Sequence, residues 1–378
     1  MADLPRPPVP RVAASPVPDR PAMAGFEPDL TADPTLVNVF DYELAAAESL
    51  AAGPLAYYAG GALDERTLSD NRAAFGRRRI VPRVMTDTAS VDTTVEIFGR
   101  RWPTPIFVAP TALQRMAHPD GELATARAAA ARGITLTLSS SASTDMGDVA
   151  EVGGPRWYQV YLLADPGARR AMVERAVSLG YEALVLTVDL QRLGRRERDV
   201  RAQFQIPVGV DLPNIARAAG VADDQAAAVP FVERLTWDDL EWLAGFGRPV
   251  VVKGILHPDD ARLAIEHGAA AIAVSNHGGR QLDGAIASLD ALPAVLEAID
   301  ARVPVLLDGG VRRGTDALIG LALGATAVGI GRPTIWGLAV DGEAGVGRIL
   351  DLITGELEQA MALAGVASLG DLTPDLLA

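Results

Sequence analysis

Residues 304–331 read PVLLDGGVRRGTDALIGLALGATAVGIG, and the pattern of this stretch indicates the fold class. Two short apolar runs, 304–308 and 327–331, flank a helical pattern at 314–324, and a glycine-rich turn follows each run. Apolar runs of this length, bounded by turn residues, are typical of strands buried on both faces. The succession of strand, helix and strand therefore predicts a βαβ unit with parallel strands.

The same pattern recurs upstream along most of the chain. From about residue 105 there are eight such runs, at 106–110, 135–139, 157–161, 184–188, 249–253, 271–275, 304–308 and 327–331. Helical patterns lie between them, among them 121–133, 166–180, 258–268 and 314–324. Eight strand–helix units favour a closed (β/α)8 TIM barrel over an open sheet. The longest connection, about 189–248, follows the fourth run and is a candidate lid or substrate loop.

Two segments precede the predicted barrel. Residues 1–35 are rich in proline and poor in bulky apolar side chains, which predicts a flexible extension; a partner-docking Pro-rich arm is the alternative. Residues 40–60 predict two helices separated at Gly53-Pro54, with a third helix at 64–75. Short strands are expected within 80–102, at VPRV and TTVEIFG. We assign residues 36–378 to one domain, with these elements as an N-terminal cap.

The composition excludes several classes of function. A net charge of −14 opposes binding to phosphate backbones and anionic lipid, so no nucleic-acid or membrane partner is expected. The chain has no cysteine, which excludes disulfides, thiolate metal sites and cysteine nucleophiles and fits a reducing cytoplasm. No apolar run reaches the length of about 18 residues typical of a transmembrane helix, and the N-terminus lacks a signal-peptide core. No metal site is predicted.

Polar side chains occupy or follow all eight predicted strand ends. They are Thr111, Ser139, Gln159, Tyr161, Thr187, Asp189, Lys253, Ser275, His277, Asp308 and Arg332. Active sites on TIM barrels lie at the C-terminal ends of the strands, built from several of them. A barrel with a purely structural role has no need of so many polar groups there. The positions therefore predict an active site at this end of the barrel.

The most informative stretch is SNHGGRQLDG, residues 275–284. His277 is a candidate acid or base near neutral pH, and Arg280 a candidate for bidentate carboxylate binding. The alternative is a tight turn around a buried histidine. Asp189, at another strand end, is placed to stabilise a protonated His277. Arg196 offers a second carboxylate contact, the alternative being a solvated basic turn.

Glycine-rich turns follow the last two predicted strands, DGGVRRGTD at 308–316 and GIGRP at 329–333. Loops after strands seven and eight of TIM barrels often bind a phosphate through backbone N–H groups. Arg312 and Arg332 would add positive charge there. The pair of turns favours a phosphate-bearing ligand, although simple tight turns are the alternative interpretation.

These stretches, together with APTALQRMAHPDGE (109–122), TVDLQRLGRRERD (187–199) and VVKGI (251–255), resemble the FMN-dependent 2-hydroxy acid oxidase/dehydrogenase family. That family includes glycolate, lactate and hydroxymandelate oxidases, and the resemblance runs from about Phe40 to about Leu369. It implies oxidation of L-2-hydroxy acids, lactate or larger, to 2-keto acids, with O2 as acceptor and H2O2 as product. The alternatives are a dehydrogenase that uses a quinone or protein acceptor, and a non-catalytic flavin-binding barrel.

The resemblance also implies a role for each site residue. The groups expected to act on the substrate are His277 as the base, Asp189 as its support, and Arg196, Arg280, Tyr57 and Tyr161 as binding groups. FMN would be held by Pro110, Thr111, Ala112, Ser139, Gln159, Thr187, Lys253, Ser275, Asp308, Gly309, Gly310, Arg312, Gly331 and Arg332. Among these, Lys253 is placed to stabilise negative charge at the N1–O2 edge of a flavin.

Further features of the resemblance concern the acceptor, the substrate and the assembly. Ala112 is similar to the oxidases, whereas several membrane dehydrogenases carry glycine there; neither a membrane-anchoring insertion nor a haem-binding domain is expected. Ser141 stands where glycolate oxidase has Trp and lactate oxidase has Tyr, which implies an enlarged substrate pocket. The motif RDVRAQFQIPVGV at 198–210 resembles lactate oxidase. The family implies a homotetramer or octamer.

Overall fold

A computed structural model describes residues 33–378 of the chain. Its compact unit runs from Asn38 to Ala378. The predicted extension, residues 1–35, lies almost wholly outside the described residues. The first elements are the helices α1 (Val39–Ser49), α2 (Ala52–Ala59) and α3 (Arg66–Gly76).

Local interactions explain the start of α1 and the position of Pro54 in α2. Asn38 caps α1, its side-chain oxygen accepting the Phe40 N–H at 2.8 Å, in a capping box. The break between α1 and α2 falls at Leu50–Ala51, so the predicted break at Gly53-Pro54 was wrong. Pro54 lies in the first turn of α2, where backbone N–H groups have no intrahelical partner and proline therefore loses no hydrogen bond.

The segment after α3 forms one hairpin rather than several strands. Strands β1 (Val95–Ile97) and β2 (Arg100–Trp102) pair antiparallel, so the TTVEIFG strand exists but is short. The strand predicted at VPRV, residues 81–84, is absent. There the Val81 and Arg83 N–H groups donate to the carbonyls of Leu376 and Ala364, at 2.8 and 3.0 Å. Pro82 has no N–H with which to continue a ladder.

The predicted TIM barrel is confirmed. Its eight parallel strands close in the order β10-β3-β4-β5-β6-β7-β8-β9. They are β3 (Ile106–Val108), β4 (Leu136–Ser139), β5 (Arg156–Val160), β6 (Leu184–Thr187), β7 (Val250–Ile255), β8 (Ala271–Val274), β9 (Val305–Asp308) and β10 (Ala327–Ile330). All eight apolar runs of the sequence became these strands, with bounds shifted by at most two residues.

The hairpin closes the N-terminal end of the barrel. Trp102 packs on Trp157 with ring centroids 5.3 Å apart and on Phe107 at 6.2 Å, and Ile97 is buried in the same cluster. Large apolar side chains therefore fill this end of the barrel. The burial of their aromatic rings stabilises the fold through the hydrophobic effect. The polar strand ends face the opposite end.

Helices surround the barrel and lie in the connections between its strands. They are α4 (Gly121–Ala130), α5 (Met146–Val152), α6 (Pro166–Ser178), α7 (Glu197–Arg201), α8 (Pro213–Ala219), α9 (Trp237–Ala244), α10 (Pro258–Glu266), α11 (Ser288–Ile299), α12 (Gly314–Ala322) and α13 (Arg332–Ala364). The four predicted helices α4, α6, α10 and α12 end two or three residues before their patterns do. The long connection after β6 carries α7, α8 and α9. In the part of the chain that is described, no helix is long and apolar enough to span a membrane.

Candidate active site

A cavity of about 370 Å³ opens at the C-terminal end of the barrel, where the strand-end side chains were predicted to converge. The predicted site residues that line it are Tyr57, Pro110, Thr111, Ala112, Ser139, Tyr161, Arg196, Lys253, His277, Arg280, Asp308, Gly309, Gly310, Arg312, Gly331 and Arg332. Asp189, Gln159, Thr187 and Ser275 do not line it. Each of these four is hydrogen-bonded to, or paired in the barrel with, a residue that does.

His277 and Asp189 form a close pair at one side of the cavity. The Nδ1 atom of His277 lies 2.9 Å from Oδ1 of Asp189, although 88 residues separate them in the chain. Gly254, at the end of β7, makes room for the carboxylate, because a Cβ there would meet Asp189 Cβ at 2.8 Å. With Nδ1 bonded to the carboxylate, Nε2 is the nitrogen of His277 left for chemistry.

Burial sets the charge state of this pair. It lowers the pKa of His277 below 6.5, an effect that the Asp189 charge opposes and that Lys253 and Arg280 reinforce. Burial alone would raise the pKa of Asp189, but attraction to His277 and Lys253 outweighs it and the pKa falls below 3.8. The imidazole is therefore neutral and the carboxylate ionised near neutral pH. A neutral imidazole held against a carboxylate is the arrangement of a general base.

Two arginines supply positive charge beside the histidine. Arg280 donates through Nη1 to the carbonyls of Tyr57 and Gly60, at 2.5 and 3.0 Å. Arg196 is 8% exposed, and within residues 33–378 its Nε has no hydrogen-bond partner and its ion-pair contact, with Asp199, is 4.0 Å long. Burial, and then repulsion from Arg280, lower the pKa of Arg196 to about 10. A buried guanidinium with an unused donor calls for an anionic ligand.

Two tyrosines complete this side of the cavity. The ring of Tyr57 lies under both guanidinium groups, 4.9 Å from Arg280 Cζ and 5.9 Å from Arg196 Cζ, and stacks on Phe204 at 5.0 Å. Burial raises the pKa of Tyr161, so its phenol stays protonated and can donate a hydrogen bond. The cavity thus offers two phenols and two guanidinium groups around one histidine.

On the barrel side, several polar atoms are buried without a partner. Gln159 Oε1 accepts from the Ser139 hydroxyl at 3.0 Å and from the Ser140 N–H at 3.3 Å, whereas its Nε2 bonds to nothing in the described chain. The hydroxyl oxygen of Thr187 is also unpartnered. Unsatisfied buried donors of this kind are costly unless a ligand satisfies them.

Lys253 ends this row of polar groups. Its Nζ donates to the Ser275 hydroxyl at 2.9 Å and lies 3.4 Å from Asp308 Oδ2. The Ser275 hydroxyl in turn donates to Asp308. Ser275 is thus committed to protein partners, and its hydroxyl orients Lys253 rather than facing the cavity.

The glycine-rich loops form the far wall. Gly309 and Gly310 have φ values of 101° and 89°, which side chains rarely adopt. Arg312 is buried, donates through Nη1 to the Val311 carbonyl at 2.9 Å, and has an unpartnered Nε. Burial lowers the pKa of Arg312, and an anion beside it would relieve that cost. These groups fit a phosphate.

Arg332 is more committed than the sequence predicted. It donates to three backbone carbonyls, those of Tyr58, Gly278 and Gly60, at 2.8–2.9 Å. Three of its five donors thus join α2 to the turn that carries His277, and two remain for a ligand. Burial lowers the pKa of Arg332 well below its ordinary value, and repulsion from Arg280 and Arg312 adds to the shift.

The unpartnered donors at one edge and the glycine and arginine groups at the other fit FMN, which carries a polar ring edge and a phosphate. Sequence reasoning missed the apolar wall of the cavity. It comes from the long connection after β6 and consists of Leu190, Leu193, Phe204, Ile206, Leu212 and Phe231. The one signal in the sequence was the presence of large apolar residues in a segment that forms no barrel strand.

Comparison with known proteins agrees with this geometry. A family described as FMN-dependent dehydrogenase matches residues 46–378. An L-lactate oxidase from Nostoc sp. is 47% identical, the match covering 92% of this chain and 100% of the relative. A glycolate oxidase from Spinacia oleracea is 44% identical, covering 89% of this chain and 94% of the relative. A structure of mandelate oxidase with benzoyl-formic acid, at 41% identity, superposes with a TM-score of 0.85 over 91% of this chain and 98% of the other.

The chain belongs to the FMN-dependent dehydrogenase family. The predicted family, the barrel and the FMN cofactor are thereby confirmed.

Proposed function

We propose that this protein is an FMN-dependent oxidase that converts L-2-hydroxy acids, lactate or larger, to 2-keto acids and passes the electrons to O2 with formation of H2O2. The observation that carries the proposal is the arrangement around His277. A neutral histidine paired with Asp189 faces the same cavity as Arg196, whose buried Nε has no partner. A base beside an anion site matches a substrate with a carboxylate next to a C–H or O–H proton.

The chain's own groups divide the work of binding and proton transfer. Arg196 and Arg280 bind the substrate carboxylate, and the phenols of Tyr57 and Tyr161 donate to its oxygens. This orients the substrate so that His277 Nε2 takes the proton, after which Asp189 stabilises the imidazolium. FMN, when bound, accepts the two electrons that leave the substrate.

The residues with unsatisfied groups would hold the cofactor. Gln159 and Thr187 lie directly behind the cavity wall, next to Ser139 and Lys253, and Gln159 Nε2 and the Thr187 hydroxyl would meet polar atoms of the ring system. Lys253, which lines the cavity, would add positive charge at the same edge. Arg312 and the backbone of Gly309 and Gly310 would bind the phosphate. The other residues predicted to contact FMN are Pro110, Thr111, Ala112, Ser139, Ser275, Asp308, Gly331 and Arg332.

The shape of the cavity supports a substrate larger than glycolate. Ser141 lines the cavity, and its small side chain leaves room there. The remaining wall on the side of the long connection is apolar and includes two aromatic rings, those of Phe204 and Phe231. Apolar side chains of the substrate are favoured in such a site by roughly 25 cal/mol per Å² that they bury.

Anaerobic mixing tests the reaction class. The purified protein is mixed with glycolate, L-lactate or (S)-mandelate while the flavin absorbance is followed, and air is then admitted. We expect bleaching by L-lactate or (S)-mandelate and rapid recovery with H2O2 formed. Slow recovery in air would instead indicate a dehydrogenase with another acceptor. Bleaching by none of these acids would contradict the proposed reaction.

The substitution Ser141→Trp tests the size of the substrate. A bulky ring at this position fills the cavity, so kcat/KM for (S)-mandelate should fall by about 10-fold or more while that for glycolate stays the same or rises. Ser178→Trp is the control, because Ser178 is exposed at the end of α6, away from the residues that line the cavity. Equal losses for both acids in Ser141→Trp would contradict the proposed specificity.

We further propose a cytoplasmic location and a homotetramer or octamer. The lack of cysteine fits a reducing compartment, and the family resemblance carries the oligomeric state. Light scattering of the purified protein measures its mass. A mass equal to one chain of 39.6 kDa would contradict the oligomer.

A further inference from the structure

Two buried asparagines form a reciprocal amide pair behind the cavity. Asn71 lies on α3 and is 1% exposed; Asn276 immediately precedes His277 and is 5% exposed. Asn71 Nδ2 donates to Asn276 Oδ1 at 2.8 Å, and Asn276 Nδ2 donates back to Asn71 Oδ1 at 2.8 Å. Only side chains that both donate and accept can make this double contact.

The same amides hold the turn that carries the base. The Gly279 N–H donates both to Asn276 Oδ1 and to the Asn276 backbone carbonyl, each at 3.1 Å, and these two contacts together close the turn from His277 to Gly279. His277 has φ of 60°, and Gly278 and Gly279 follow with φ of 63° and 75°. A left-handed conformation at a non-glycine residue is strained and persists only where its surroundings enforce it. The side chain of Asn276 is one of the groups that enforce it here.

The pair also reaches other parts of the site. Asn71 Oδ1 accepts the Ser288 N–H at 3.2 Å, and Asn276 Nδ2 donates to the Ile286 carbonyl at 3.1 Å. The Asn71 backbone lies against the loop proposed to bind phosphate, since a Cβ on Gly310 would come within 2.2 Å of the Asn71 carbonyl oxygen. Asn71, in the N-terminal cap, thus contacts both the turn that carries His277 and the glycine-rich loop that contains Gly310.

We propose that Asn71 and Asn276 are positioning residues, whose paired amides hold the His277–Arg280 turn in register with the cavity and so link the N-terminal cap to proton transfer. The inference rests on the function proposed above. Neither side chain lines the cavity, and both act through the groups that they hold.

The experiment compares Asn71→Ala, Asn276→Ala and the double variant with Thr67→Val as the matched control. Thr67 is buried on the same helix, and its hydroxyl contacts the Leu282 and Ala285 carbonyls at 3.3 and 3.2 Å, outside the amide pair. For each FMN-bound protein we measure kcat and KM with the best substrate, the pH profile of flavin bleaching, hydrogen–deuterium exchange over 275–281, and the melting temperature.

Each asparagine variant should lose kcat by about 10-fold or more, because a shift of about 1 Å in a catalytic group can cost 100-fold. The double variant should be no slower than the slower single one, since either substitution removes the same pair. Exchange over 275–281 should rise in the asparagine variants, and the control should change neither kcat nor that exchange.

The pH profile separates positioning from a loss of stability alone. A loosened turn admits water to His277, so the pKa of the base rises towards 6.5 and the acid limb of the profile moves to higher pH. The charged groups that face His277, namely Asp189, Lys253 and Arg280, are unchanged in every variant. A lower melting temperature with unchanged kcat, exchange and pH profile would overturn the proposal.

Two further outcomes, misfolding of the alanine variants and failure of the proposed function, can be distinguished from failure of this inference. If the alanine variants do not fold, Asn71→Ser replaces them, because its shorter hydroxyl adds no buried charge but cannot make both contacts of the pair, and smaller changes in the same direction are expected. If the wild-type flavin is bleached by no 2-hydroxy acid, the proposed function fails. Hydrogen exchange over 275–281 then still decides whether the pair holds the turn, and unchanged exchange would overturn the inference as well.

Discussion

At His277, one imidazole has to meet two opposing demands. It must be neutral to accept a proton, and the cation that forms must then be stabilised in a buried place. Burial meets the first demand by lowering the pKa of His277, and the Asp189 carboxylate at 2.9 Å meets the second. Burial and the carboxylate are both needed. Burial keeps the imidazole neutral before proton transfer, and the carboxylate offsets the cost of a buried imidazolium afterwards.

This balance predicts the effect of Asp189→Asn. The Asp189 charge raises the pKa of His277, so its removal lowers that pKa further and the acid limb of flavin bleaching moves to lower pH. At the plateau the rate constant should fall by about 100-fold or more, because the imidazolium has lost its counter-charge. Stopped-flow bleaching between about pH 5 and 8 measures both effects.

The matched control for this variant is Asp259→Asn. Asp259 lies 3.7 Å from the exposed His257, so the substitution removes the carboxylate from a second histidine–aspartate pair, neither member of which lines the cavity. It should leave the pH profile unchanged. An Asp189→Asn variant with a wild-type rate and profile would remove the assigned role of the carboxylate.

A second prediction at the same scale concerns Arg196→Lys. Lysine keeps the charge but loses the planar fork that binds a carboxylate through two hydrogen bonds. KM should rise roughly 10- to 100-fold, the loss of one charge-assisted bond of about 1.5–3 kcal/mol. Steady-state kinetics measure it, with Arg195→Lys as the control, because Arg195 is the exposed neighbour. Equal KM values for the two variants would contradict carboxylate binding by Arg196.

At the scale of elements, glycine-rich loops convert strand ends into a binding surface. The loop after β9 places Gly310 against the cap, where a side chain has no space, and Gly309 beside Ser288 and the Asn71 amide. Its φ angles also turn successive backbone N–H groups, and such turns make sites for anions. The loop and the cap helix α3 therefore depend on each other for their shape.

Gly310→Ala tests that dependence. Its Cβ would come within 2.2 Å of the Asn71 carbonyl oxygen, so the loop must move and FMN should bind about 10-fold more weakly or worse. Gly99→Ala is matched, since Gly99 also has a positive φ, 73°, but nothing lies within 4 Å of its Cβ. Titration of flavin fluorescence gives both dissociation constants. An FMN affinity equal to that of Gly99→Ala would show that the close contact is unimportant.

Across the whole molecule, the charge of the side chains at the cavity is opposite in sign to the net charge. The chain has a net charge of −14, yet four arginines line the cavity that also contains the base. They are Arg196, Arg280, Arg312 and Arg332. Local positive charge in a low-dielectric site outweighs a diffuse negative field, which is screened within about 10 Å at 0.1 M salt. The cavity is therefore suited to anions on an acidic protein.

The same distribution predicts that FMN stabilises the fold. Without an anion, the buried arginines repel one another and donors such as Gln159 Nε2 stay unsatisfied. At free FMN of 100 times the dissociation constant, linkage adds about 2.7 kcal/mol, so the melting temperature of a unit of this size should rise roughly 3–4 °C over the FMN-free protein. Calorimetry with and without FMN measures the rise.

Riboflavin provides the control for that measurement, because it lacks the phosphate that Arg312 and the glycine loop would bind. Its stabilisation should be smaller than that of FMN at the same concentration. Equal stabilisation by both compounds would contradict a phosphate site in this loop.

The architecture and much of the site could be predicted from the sequence. The sequence predicted all eight strands, the strand-end positions of His277, Lys253 and Asp308, and the two glycine-rich turns. The physical reason is that buried parallel strands are short apolar runs, and a closed barrel puts all their C-terminal ends on one face. Polar residues at those positions are therefore brought together whatever the details of packing.

Which of those groups are in contact, and which residues the connections between strands add to the site, depends on tertiary packing. The 2.9 Å contact of His277 with Asp189, the amide pair of Asn71 with Asn276, and the commitment of Arg332 to three carbonyls join residues far apart in the chain. Such contacts depend on strand register and on the packing of the cap, which no local pattern encodes. The prediction of a strand at VPRV was wrong for the same reason. Its backbone N–H groups bond to the separate carbonyls of Leu376 and Ala364, not to a neighbouring strand, and the local pattern does not show this.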